Sequence, residues 1–123
     1  MDYLRIWADE DGVSHFTEVE LPFEVLPAEP GVAELWWSEP VAVDRMHFLS
    51  VRDGTQSPDW HCAPRRQFVT FLTGWVRLVA GDGEERVLPA GSTVLAEDLV
   101  GTGHVTEHEP GDQRVLVVPL DPD

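Results

Sequence analysis

The sequence contains no lysine: its eight basic residues are all arginine, against 23 Asp and Glu, for a formal net charge of −15 over 123 residues. A field of that sign repels phosphate backbones and anionic headgroups, which speaks against nucleic-acid and membrane-surface partners. Cysteine is almost as scarce, and the single Cys62 leaves no intramolecular disulfide. No stretch reaches the roughly 18 to 20 uninterrupted apolar residues of a membrane-spanning helix. The opening Met1-Asp2-Tyr3-Leu4-Arg5 lacks the basic and apolar regions of a secretory signal. A cytoplasmic protein without membrane attachment is expected.

What is present points to one domain over residues 1–123. A 42% hydrophobic share with five Trp and five Phe is enough to build a core at this length. The charge is uneven: residues 1–44 hold eleven acids against Arg5, while Arg65, Arg66, Arg77 and Arg86 cluster in the middle. Ten Gly and ten Pro punctuate segments rich in Val, Leu, Phe, Trp and Thr. That pattern reads as all-β.

Strands are predicted over Leu4–Ala8, Ser14–Glu20, Ala33–Ser38, Arg45–Val51, Trp60–Ala63, Gln67–Leu72, Trp75–Ala80, Glu85–Leu88, Thr93–Glu97, His104–Thr106 and Arg114–Pro119. Asp-Gly and Pro-Gly turns separate many of them. Leu21–Pro30 reads as a loop or arm, and Pro22 and Pro27 argue against a helix around Thr17–Leu26. Many short strands imply a sandwich or barrel. The aromatics Trp36, Trp37, Trp60, Trp75, Phe48, Phe68 and Phe71 are the expected core and lining. Adjacent Trp36 and Trp37 must face opposite sides, which puts one of them outside the core.

Between Gly54 and Asp98 the chain carries Asp59-Trp-His-Cys-Ala-Pro-Arg-Arg-Gln67, six residues leading to Gly74, then Gly83-Glu-Glu-Arg-Val-Leu-Pro89-Ala-Gly91. These two stretches, 54–74 and 83–98, resemble the paired motifs of the cupin superfamily, G-x5-H-x-H-x3(or 4)-E-x6-G and G-x5-P-x-G-x2-H-x3-N. His61 takes the first histidine place and Gln67 the glutamate place; Gly83, Pro89 and Gly91 take theirs. Ala63, Val94 and Asp98 stand where the family has two histidines and an asparagine, and the gap from Gly54 to His61 is six residues where the family has five.

The resemblance implies a cupin-type double-stranded β-helix, a jelly-roll barrel, with acidic N-terminal strands or arm over 1–44 and the barrel core over 45–119. The run from Gly91 to His104 is similar to that of ectoine synthase-like cupins, and by that likeness His104 replaces the ligand lost at Val94. The implied metal set is His61, Gln67 and His104, holding Zn or Fe(II). With an amide in place of the carboxylate the site is weak enough that a metal-free state stays open. The family also implies a homodimer.

Strand parity gives an independent reading. If His61 faces inward, Ala63 and Gln67 do too, while Cys62, Arg66 and Phe68 face out; Pro64 leaves Arg65 undecided. Val94, Ala96 and Asp98 share one face. Taken with the resemblance, which singles out His61 and His104, this makes the catalytic candidates His61, His104 and Asp98, and the substrate-binding candidates Arg65, Gln67, His47, Trp60 and Phe71. Arg65 and Arg66 either pair with surrounding carboxylates or fork onto a ligand. Glu97 reads as a solvated turn acid, His15 and His108 as ordinary surface residues, and Cys62 as a packed apolar group.

Three functions fit. One is an enzyme of proton-transfer chemistry (isomerisation, dehydration or cyclisation) on a small organic molecule, metal-assisted or not. Another is an Fe(II) dioxygenase-type cupin, and the third a non-catalytic cupin that binds a small molecule or a partner.

Overall fold

Burial alternates along Val76-Arg77-Leu78-Val79-Ala80: Val76, Leu78 and Ala80 are buried while Arg77 and Val79 are only partly covered. The same period of two recurs in Leu4 and Ile6, both essentially inaccessible, and it makes each strand present one face to a shared core. The computed structural model describes residues 1–25 and 29–120. Among them no helix occurs; the strands are β1 (Tyr3–Ala8), β2 (Ser14–Val19), β3 (Glu24–Val25), β4 (Trp36–Trp37), β5 (His47–Val51), β6 (Ser57–His61), β7 (Gln67–Phe71), β8 (Val76–Ala80), β9 (Glu85–Leu88), β10 (Thr93–Glu97), β11 (His104–His108) and β12 (Gln113–Pro119).

They form a six-stranded sheet in the order β2-β1-β10-β7-β12-β5, a four-stranded sheet in the order β6-β11-β8-β9, and the isolated pair β3-β4. From β5 onward the antiparallel pairing is nested: β5 with β12, β6 with β11, β7 with β10, β8 with β9. The chain runs out along β5–β8, turns at Asp82-Gly83 and comes back along β9–β12. The Asp82 Oδ1 accepts the Glu84 amide at 2.9 Å and Gly83, at φ +93°, supplies the left-handed residue. Among the described residues the ladders leave two sheets face to face and do not close into a barrel.

The apolar faces of both sheets meet in one core, to which Ile6, Val51, Phe71, Val94 and Val115 contribute from the larger sheet and Leu78, Ala80 and Leu88 from the smaller. The N-terminal strands are integral to it. β1 pairs in parallel with β10, and Leu4 and Ile6 are among the most buried residues of the chain, so the packed core begins well before residue 45.

Three strand predictions need correction. Ala33–Ser38 shrinks to Trp36–Trp37, and the loop expected over Leu21–Pro30 contains Glu24–Val25, because these two dipeptides pair with each other and with no other sheet. Trp60–Ala63 is replaced by Ser57–His61. Pro58 is tolerated there because β6 is an edge strand, where a missing N–H interrupts no ladder. His104–Thr106 extends to His108, which pairs with Val76. Leu26 and Pro27, which entered the helix reading, lie outside the described residues.

The aromatic prediction also needs correction. Trp36, Trp37, Trp60 and Phe48 are exposed, Phe48 at 76%. Of the residues expected in the core Phe71 is buried, while Phe68 packs edge-on against Tyr3 on the opposite face of the sheet, ring centroids 5.2 Å apart.

Candidate functional site

A cavity of about 210 Å³ lies between the two large sheets. Its larger-sheet wall is apolar apart from Gln67, with Val69 and Phe71 of β7, Val94 and Ala96 of β10, and Val115 and Val117 of β12. Its other wall is polar apart from Leu78 of β8. Ser57 and His61 come from β6, and His104, Thr106 and His108 are the inward positions of β11.

His61 and His104 are opposite each other in the β6–β11 pairing, and their rings lie 4.6 Å apart. The glycine before His104 makes this approach achievable. Gly103 sits at φ +74°, and a β-carbon there would fall 2.1 Å from the carbonyl oxygen of His61. The backbone of β11 can come this close to β6 only without a side chain at that point.

Each imidazole is held by a partner at Nδ1. His61 Nδ1 lies 3.0 Å from the Asp59 carbonyl oxygen, and His104 Nδ1 lies 2.5 Å from Oδ2 of Asp98. Carbonyl and carboxylate oxygens only accept, so in each ring Nδ1 carries a proton, and in the neutral form of the ring it is Nε2 that presents a lone pair. Asp98 is fully buried, in phase with Val94 and Ala96 on the inner face of the β10 segment, and its Oδ1 has no hydrogen-bond partner. The acid therefore stands behind His104, with the ring between it and the cavity.

The remaining candidates divide. Gln67 and Phe71 line the cavity with His61 and His104. Arg65, His47 and Trp60 do not; all three are exposed, and Arg65 Nη1 donates to Gln67 Oε1 at 3.3 Å. Arg66 pairs with Glu97 at 2.6 Å, beside a second pairing of Glu97 with Arg5. Burial alone would raise the Glu97 carboxyl, but the hydrogen bonds from Arg66 and Arg5 outweigh it and hold its pKa below the usual range. Glu97 is thus an ion-paired residue and not a solvated turn acid. Cys62 faces away from His61, its Sγ 3.3 Å from the Gly101 carbonyl.

His108 is the residue that sequence reasoning missed. It lines the cavity, and burial lowers its pKa below 6.5. Alternation from His104 through Thr106 would have placed it inward; ending the predicted strand at Thr106 hid that.

As a metal site the arrangement is thin. Among the described residues no three His, Cys, Asp or Glu side chains gather in ligand geometry, and the Oε1 of Gln67 already accepts from Arg65. Two imidazoles and one amide, with no carboxylate, fall short of the three strong ligands of a catalytic zinc centre. The chemistry on this wall is therefore best derived from the side chains themselves.

No family model and no curated protein sequence matches this chain.

Proposed function

We propose that this chain is a cupin-type enzyme that moves a proton on a small organic molecule, with the His104–Asp98 pair as its base. The fold half of the reading is supported by the nested strand order. Counting β5 to β12 as eight strands, the sheets contain the first, eighth, third and sixth, and the second, seventh, fourth and fifth. That is the pattern of a long hairpin rolled into a jelly roll, the architecture cupins share. The motif resemblance around His61 and Gly91 points the same way.

The functional half rests on one observation: a fully buried carboxylate hydrogen-bonded to the Nδ1 of an imidazole that lines a cavity, which leaves Nε2 outside that bond. Such a carboxylate fixes the tautomer and stabilises the imidazolium formed when Nε2 takes a proton. In the proposed cycle, Nε2 of His104 removes a proton from the carbon next to a substrate carbonyl. The electron pair moves to the carbonyl oxygen, which accepts hydrogen bonds from donors of the polar wall such as Ser57 and Thr106. The imidazolium then returns the proton to the same or a neighbouring carbon. His61, exposed at the mouth, exchanges protons with solvent. Isomerisation is the direct outcome, and dehydration or cyclisation follows where the enolate expels or attacks a second group.

Small enolisable ketones incubated with the protein in D2O test this by proton NMR. Expected is exchange of the α-protons with the wild type, abolished in His104→Ala and unaffected by chelators. Exchange that persists in His104→Ala, or no exchange with any ketone, removes the reading. Exchange lost on chelation and restored by Zn or Fe(II) replaces it with a metal-assisted one.

A further inference from the structure

Among the described residues, the polar groups of the cavity lie on the β6 and β11 wall apart from Gln67, and none of the lining residues is Arg, Asp or Glu. We infer that its ligand is an uncharged, largely hydrocarbon molecule of fragment size whose carbonyl or hydroxyl end meets His61 and His104. This rests on the proposed role of the cavity and adds the class of molecule that enters it.

Carboxylate and phosphate ligands are recognised by guanidinium or ammonium groups, which replace the water they lose. The arginines are elsewhere. Arg5 and Arg66 are on Glu97, Arg77 is on Glu85 and Arg86 on Glu84 and Glu18. Arg65, the cation nearest the mouth, is exposed and outside the lining.

Protonation of His104 would not supply a net positive charge either. Its ring is hydrogen-bonded to the carboxylate of Asp98, so imidazolium and carboxylate would cancel and leave the wall neutral. His108, further along β11, is half-buried, and that burial disfavours its charged form. An anion placed among Val69, Val94 and Val117, away from His61 at the mouth, would thus be desolvated with no guanidinium or ammonium group beside it among the described lining residues. A cation fares no better, since Asp98 is screened by the His104 ring.

The volume is consistent with a small occupant. About 210 Å³ is below the roughly 300 to 1,000 Å³ of pockets that take drug-sized ligands. The one-sided polarity then sets the pose, with hydrocarbon on the β7, β10 and β12 wall and the oxygen on the β6 and β11 wall.

Acetophenone and benzoate have the same number of heavy atoms and differ in a methyl group against an oxyanion, so they isolate charge from shape. Titration of each, followed by NMR of the histidine ring resonances near neutral pH, should show saturable binding of acetophenone at His61 and His104. Benzoate should bind on the order of tenfold more weakly or worse. Leu49→Arg puts a guanidinium on a lining residue that is 47% exposed and tolerates a longer side chain; it should reverse the preference. Benzoate binding to the wild type at those histidines as tightly as acetophenone overturns the uncharged-ligand inference and leaves the site reading standing. Failure of both probes to perturb His61 and His104 removes the cavity as a binding site altogether.

Discussion

Oδ2 of Asp98 lies 2.5 Å from Nδ1 of His104, and the two residues divide their surroundings: the acid is fully buried and the ring lines the cavity. Asp98→Asn keeps the shape but offers an amide whose N–H2 can donate to Nδ1, which drives the ring proton to Nε2. The base is then blocked. We expect the D2O exchange rate to fall by about 10²- to 10⁴-fold, the range associated with a general base. Nitrogen NMR of the ring should report the change of tautomer while circular dichroism stays that of the wild type. An unchanged rate with a changed tautomer would show that His104 is not the base.

Gly103→Ala tests whether the His61–His104 pairing depends on backbone approach. The new β-carbon would meet the His61 carbonyl oxygen at 2.1 Å and its carbon at 2.3 Å, both backbone atoms that cannot swing aside. Gly83→Ala is the control: its φ of +93° is equally unfavourable for alanine, but nothing lies within 4 Å. The control should lose about 1 to 2 kcal/mol from conformation alone. Gly103→Ala should lose at least about 1 to 3 kcal/mol more through overpacking and displace β6 from β11. Chemical denaturation of the two variants measures the difference, and equal losses would mean that the strands adjust freely.

Ser14 supports the same corner from below. Its buried hydroxyl donates to the Gly103 carbonyl and accepts the Gly81 amide, both at 2.7 Å, tying the start of β2 to the ends of β8 and β11. Ser14→Ala strands both partners. A loss of about 1 to 3 kcal/mol is expected from the unsatisfied buried groups, against roughly a few tenths for a half-buried serine such as Ser38, whose hydroxyl donates to the carbonyl of the adjacent Glu39. Urea unfolding midpoints of Ser14→Ala and Ser38→Ala provide the comparison.

The parts of the fold most legible in the sequence were those governed by period-two patterning and turn chemistry. β9 and β10 run over the predicted residues, and Val94, Ala96 and Asp98 share an inward face. Legibility failed where a partner decides the outcome. Glu24–Val25 becomes a strand only because Trp36–Trp37 lies opposite it, and the edge location that lets Pro58 sit in β6 belongs to the tertiary arrangement. At the site, parity brought His61 and Gln67 to one cavity, while the hydrogen bond from His104 to Asp98 joins residues that flank a turn whose course no local rule specifies. Exposure misled most for the aromatics: tryptophan and phenylalanine usually mark a core, yet Trp36 and Phe48 stand in solvent.

Two histidines give the stability opposite dependences on pH. His15 bridges the turn regions: Nε2 is 2.7 Å from Asp9 Oδ2 and Nδ1 is 3.0 Å from Asp82 Oδ2. The hydrogen bond to Asp9 raises its pKa above 6.5 against a smaller effect of burial, with Asp82 adding to it, and the same bond lowers Asp9 below 3.8. Between 6.5 and the raised value the folded state binds more protons, so the His15 contribution is complete below 6.5 and is lost as pH rises through the folded pKa. Asp9 contributes above 3.8 and loses its share as pH falls through its own lowered value. His108 runs the other way. Burial lowers its pKa, the unfolded chain binds more protons below 6.5, and stability falls as the medium is acidified from 6.5 toward the folded pKa. Thermal midpoints of the wild type, His15→Gln and His108→Leu between about pH 5 and 8.5 separate the two. The deficit of His15→Gln should shrink as pH rises, and His108→Leu should gain on the wild type as pH falls. A deficit of His15→Gln that stays constant across the range would mean that the bridge does not depend on a protonated ring.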